Sequence, residues 1–226
     1  MSLLLDLAIT PEVFGPAGYS AAERSDDCLF QLEPILMQEA IVRDLADGQW
    51  QACVKASEAN LSVAGLKLFR AVTDRIRPCE AVTFPNPETP DEWCWEAEAI
   101  HRKEPGDGIL VGHETALRNE GDGVVCAAER VHQAGWWQAR ACSITMRRQT
   151  GDYIRHLDRL LRFAKSAVFI DPHLDPTVQR YSEFHKVLEI ARRRLTTLHV
   201  EVHRSCYRGS GVDRHEISEL EAREMF

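Results

Sequence analysis

The chain has 226 residues, with 44% hydrophobic and 27% charged side chains, a balance that excludes a disordered or fibrous protein and allows one large domain or two small ones. No apolar run approaches the roughly 18 residues needed to cross a bilayer, so no membrane segment is expected and a cytoplasmic location is. The formal charge of −8 is uneven: from Met146 onward there are 15 Lys and Arg against 12 Asp and Glu, whereas the residues before it carry 12 against 23. An acidic front is a poor surface for polyanions, while the mildly basic back half can approach phosphate.

Leu3 to Ile9 reads as a first strand, followed by a turn-rich stretch with Pro11, Gly15, Pro16 and Gly18. Apolar residues from Leu29 to Leu45 recur at near-helical spacing and predict a helix over 21–47, kinked or divided at Pro34 and stopped at Gly48. A second helix is expected from Leu61 to Ile76. The loop from Pro78 to Pro90 carries four prolines and is the expected boundary between a mainly helical region, 1–90, and an α/β domain, 91–226.

Asp91 to His101 reads as a helix anchored by Trp93 and Trp95, Gly108 to Val111 as a strand, Val124 to His132 as a short helix, and Ala141 to Met146 as a strand. Thr150 or Asp152 caps an amphipathic helix reaching Lys165. Ala167 to Ile170 is a strand that stops at Asp171-Pro172, because proline cannot donate to a ladder. A further helix ends in Arg192-Arg193-Arg194. Leu198 to His203 alternates apolar and polar residues, as a strand with one wet face does, and Asp213 can cap a last helix. The expected fold is α/β, a helical N-terminal part followed by a mostly parallel sheet with flanking helices.

The seven cysteines form no CxxC pair, which speaks against a zinc ribbon and for reduced thiols. No GxxxxGK[ST], GxGxxG or GxSxG occurs, so no nucleotide fingerprint or serine-hydrolase elbow is present and no cofactor is expected. Ligands of open α/β sheets gather outside the carboxyl ends of the strands. Asp171 and His173 occupy such a position and are the candidate catalytic pair, with a helix-capping turn as the alternative reading. His199, Glu201 and His203 alternate on one strand. Neighbours at i and i+2 lie about 6.5 Å apart, within reach of one divalent metal, although a wet strand face also accounts for them. Arg204 and Arg208, beside the turn at Gly209 to Gly211, are candidate phosphate ligands.

The helix Tyr153 to Lys165 and the segment Ala167-Val168-Phe169-Ile170-Asp171-Pro172-His173-Leu174-Asp175 resemble the opening of a phospholipase D-like domain, with Leu198 to Cys206 as the next parallel strand. The resemblance covers about 60 to 75 residues. It implies a phosphodiesterase acting on nucleic acid or phospholipid, as in bacterial antiviral defence. That superfamily works through an HxK motif, and none follows Asp171, since His185 and Lys186 are adjacent. The departure leaves two other readings open: a non-catalytic module that docks a protein partner or a second copy, and a metal-dependent hydrolase.

Overall fold

A computed structural model describes residues 4–73, 76–119, 121, 123–140, 143, 145, 149–164, 166–171, 182–192, 199–208 and 211–224. The chain forms two compact units, Met1–Ser143 and Ile144–Phe226.

The first unit is built on five parallel strands: β1 (Leu5–Ile9), β2 (Ala40–Asp44), β3 (Ile76–Pro78), β4 (Gly108–Val111) and β5 (Val125–Ala127), in the order β3-β2-β1-β4-β5. The helices between them are α1 (Ser25–Pro34), α2 (Gln49–Ala56), α3 (Val63–Val72), α4 (Pro90–Lys103) and α5 (His113–Arg118), with α6 (Gly135–Gln138) after the last strand. Every residue of β1, β2 and β4 is buried, as befits central strands covered on both faces. Phe14, Trp50 and Phe69 meet edge-on or tilted, with centroids 5.6–5.7 Å apart, in the middle of the core.

The fold is α/β with a parallel sheet and flanking helices, as expected, but three strands lie in the stretch read as mainly helical. The helix predicted over 21–47 ends at Pro34. Residues Ile35–Glu39 make one wide turn, and Ala40–Asp44 enters the sheet between β1 and β3. Arg43 and Asp44 mimic the wet side of a helix, yet both are buried, Arg43 because Asp6 of β1 receives its guanidinium. Val124 to His132 likewise divides into β5 and a 3-10 turn, Ala128–Gln133.

The two units divide after Ser143 rather than in the proline-rich loop, because that loop is bound into the first core. Glu96 of α4 is fully buried, and its carboxylate accepts the backbone N–H groups of Val82, Thr83 and Phe84 at 2.6, 2.8 and 2.6 Å. Thr89 and Glu92 then close a capping box around Pro90, which fixes the start of α4.

In the second unit, α7 (Thr150–Phe163) leads into β6 (Ser166–Ile170), and α8 (Ser182–Arg192) precedes β7 (His199–His203). The strands pair in parallel from Ser166↔His199 to Ile170↔His203, as the alternating pattern predicts. Ala167 and Phe169 pack with Tyr153 and Leu157 around Leu161 and Val187. A short antiparallel pair, β8 (Tyr207–Arg208) with β9 (His215–Glu216), and α9 (Glu219–Glu224) complete it. Ser218, not Asp213, caps α9: its hydroxyl accepts the Glu221 N–H at 3.2 Å. The predicted strand Ala141 to Met146 lies largely outside the described residues. All six described cysteines are free thiols, and no helix among the described residues is long and apolar enough to cross a membrane.

Candidate functional site

Asp171 follows directly on β6, and its N–H donates to the His203 carbonyl at 3.1 Å, so it stands at the carboxyl rim of the strand pair. His173 lies outside the described residues. His203 Nε2 is 2.6 Å from Glu201 Oε1, with both side chains more than half exposed. Among the described residues, no three His, Cys, Asp or Glu side chains converge to hold a metal. The Arg204 guanidinium turns back onto the carbonyls of Ser205 and Tyr207, which stiffens the turn after β7. Arg208 is exposed on β8 opposite His215. The chain's one HxK, His101-Arg102-Lys103, closes helix α4 of the first unit instead of following β7. There, His101 Nδ1 accepts the Gly106 N–H at 3.2 Å and Lys103 Nζ lies 3.5 Å from Glu80.

The first unit carries a denser constellation. Its strand order reverses between β1 and β4: the chain moves outward from β1 to β2 and β3, then returns to the other side of β1. The carboxyl ends of the two strands at such a switch point flank the crevice where α/β sheets bind ligands. Thr10, just past β1, ties the ends together, with its N–H 2.9 Å and its hydroxyl 3.3 Å from the Leu110 carbonyl.

Glu12 follows on the same turn, and its Oε1 accepts the Gly112 N–H at 3.1 Å. Its Oε2 is buried with no hydrogen-bond partner among the described residues. Burial raises the Glu12 pKa above the usual carboxyl range, against the opposing pull of the Gly112 N–H and the nearby Thr10 and Thr115 hydroxyls. Gly112 has to be small here, because a Cβ on it would come within 2.7 Å of Glu12 Cγ and 3.2 Å of Gly18.

His113, the residue after Gly112, places Nδ1 2.6 Å from Oε1 of Glu129, which lies just past β5. The other oxygen of Glu129 accepts the N–H and the hydroxyl of Ser20 at 3.1 and 2.8 Å. Burial works against charge on Glu129, but Ser20 and His113 outweigh it and hold the carboxyl below its ordinary pKa. An ionised Glu129 selects the tautomer with the proton on Nδ1, which leaves Nε2 for acid–base work. The His113 and Glu129 side chains are only 18% and 14% exposed, so the pair is largely shielded from water.

His113 also lines a cleft of about 300 Å³ beside β5, together with Asn119, Cys126, Arg130 and Gln133. Burial pushes the Cys126 thiol up despite the nearby Arg130, so it is a poor thiolate nucleophile. Sequence reading missed Glu12, Ser20, His113 and Glu129. Gly112-His113 after an apolar strand is a legible strand-end signal, but its partners are 16 residues or more away in the chain.

No protein-family model matches the chain, and comparisons with curated proteins and with solved structures return no match. Fold and site together define the first unit as an open, all-parallel α/β unit with a carboxylate-oriented histidine next to its switch point.

Proposed function

We propose that the first unit is a hydrolytic domain in which His113, oriented by Glu129, acts as general base on a small ester bound in the adjacent cleft. The observation that carries this reading is the chain of contacts Ser20–Glu129–His113 ending at that cleft. A base whose far nitrogen is fixed by a carboxylate is the arrangement that activates water or a hydroxyl for attack at a carbonyl or phosphorus. The resemblance of residues 153–206 implies phosphodiester cleavage at Asp171 instead, a reading that the second unit, with no HxK of its own, supports less well.

The test uses the full chain with p-nitrophenyl acetate and bis-p-nitrophenyl phosphate. Hydrolysis of one of them is expected, falling about 10²- to 10⁴-fold in His113→Asn. Glu129→Gln should fall in the same direction, since an amide no longer selects the tautomer. A His113→Asn variant with undiminished turnover, or a wild-type chain inert toward both esters, would remove the reading.

A separate observation favours an interaction role for the second unit. Parallel sheets are ordinarily covered on both faces, yet Val168 and Ile170 on the outer face of β6 are 54% and 78% exposed. A protein partner or a second copy of the chain would cover them. Sedimentation of the wild type against Ile170→Asp tests the self-association arm: a monomer at every concentration in both leaves only a different protein as the occupant.

A further inference from the structure

The cleft beside His113 also reports what kind of ligand it takes. The 3-10 turn Ala128–Gln133 delivers two functional groups on successive residues. Glu129 faces His113, while Arg130, at a kink with φ −118° and ψ 17°, lines the cleft. Among the described residues, Arg130 is the only Lys or Arg that lines the cleft, and it makes no ion pair there. Asn119, whose amide donates to the Thr115 carbonyl at 2.8 Å, and Gln133 also line the cleft, with Ala116, Leu117 and Val125 adding apolar surface.

A guanidinium lining a concavity matches a planar or tetrahedral oxyanion, which it can hold through paired N–H groups. The volume, about 300 Å³, lies at the small end of ligand pockets. The surrounding unit carries 12 cationic against 23 anionic residues, a field that repels long polyanions.

We infer that the cleft binds a compact ligand with a single anionic head group, a phosphate or a carboxylate, anchored by Arg130. The inference deepens the hydrolase reading and rests on it for the choice of cleft. Binding and turnover are nevertheless separable, because Arg130 and His113 are different side chains.

The experiment is calorimetric titration of the full-length protein with inorganic phosphate and with acetate, repeated on Arg130→Met and Arg130→Lys. Met keeps the aliphatic stem of this exposed side chain, so the fold should persist, which circular dichroism checks. One of the two anions should bind, and the tighter one tells a phosphate from a carboxylate ligand. Arg130→Met should weaken binding about tenfold to a hundredfold, the value of one charge-assisted contact, with Arg130→Lys in between. If His113→Asn keeps full esterase activity while Arg130→Met loses anion binding, the hydrolase reading fails and the anion site stands. Absence of binding by either anion, unchanged affinity in Arg130→Met, or displacement of the anion by a 20-nucleotide single strand would each overturn the inference.

Discussion

Asp6 holds the buried charge network of the first unit, and replacing it tests how the sheet is held together. Its carboxylate is 1% exposed and receives Arg43 through two contacts, 2.8 Å from Nε and 3.0 Å from Nη2. Arg77 adds a third at 2.7 Å, and the Asp6 N–H donates to Asp107 at 2.8 Å. Burial alone would lower the Arg43 pKa, but Asp6 more than compensates and raises it. Gly106 is required beside this network, since a Cβ there would stand 2.8 Å from the Asp6 carbonyl and 2.9 Å from Arg43 Nη2.

Asp6→Asn keeps the shape and removes the charge, leaving the Arg43 guanidinium in the core without its paired carboxylate and with Asp107 as a weaker electrostatic neighbour. Arg77 is not stranded, because it is partly exposed and also pairs with Glu104. Breaking one partner of such a pair costs about 3–5 kcal/mol, a large part of the roughly 5–15 kcal/mol that holds a domain folded. Removing both charges is milder, so Asp6→Leu/Arg43→Met should be more stable than Asp6→Leu alone. All five tryptophans, at positions 50, 93, 95, 136 and 137, lie in the first unit, so their fluorescence during urea unfolding reports on that unit. A loss below about 1 kcal/mol for Asp6→Asn, or a double variant equal to the sum of its parts, would refute the reasoning.

Glu96→Gln replaces a two-oxygen acceptor with one oxygen and a donor facing the Val82–Phe84 amides; a loss of about 2 kcal/mol is expected, with faster hydrogen exchange at those three amides. Gly65→Ala would raise helix propensity in α3, yet its Cβ would lie 2.0 Å from the Phe14 carbonyl oxygen; the clash should prevail and lower the melting temperature, by about 1–3 kcal/mol of stability. The Glu129 pKa is lowered from 4.5, so its contribution to stability is present above 4.5 and lost as pH falls through the folded value. Glu12 is raised from 4.5, so the stability of its protonated form is present below 4.5 and lost as pH climbs through the folded value. Glu12→Gln should therefore flatten the decline above pH 4.5, read from urea midpoints measured at several pH values, and an unchanged decline would exclude Glu12 as its source.

Much of the architecture was legible because its causes are local. The apolar run at Leu5–Ile9, the stripe of Tyr153, Leu157 and Leu161, and the β6–helix–β7 alternation all follow from side-chain periodicity and turn chemistry within a few residues. The short strands were not legible. β3 and β5 have three residues each, and β2 carries two charged groups inside the sheet, because what stabilises them are ladder bonds and ion pairs to segments 16 residues or more distant. The site followed the same division. Asp171 ends its strand where the proline pattern said it would, while His113, Glu129 and Ser20 are spread over 109 residues. Only the placing of β4 beside β1 and β5 brings those three together, and that strand order is set by the packing and pairing of distant segments, for which no window of neighbouring residues carries a signal.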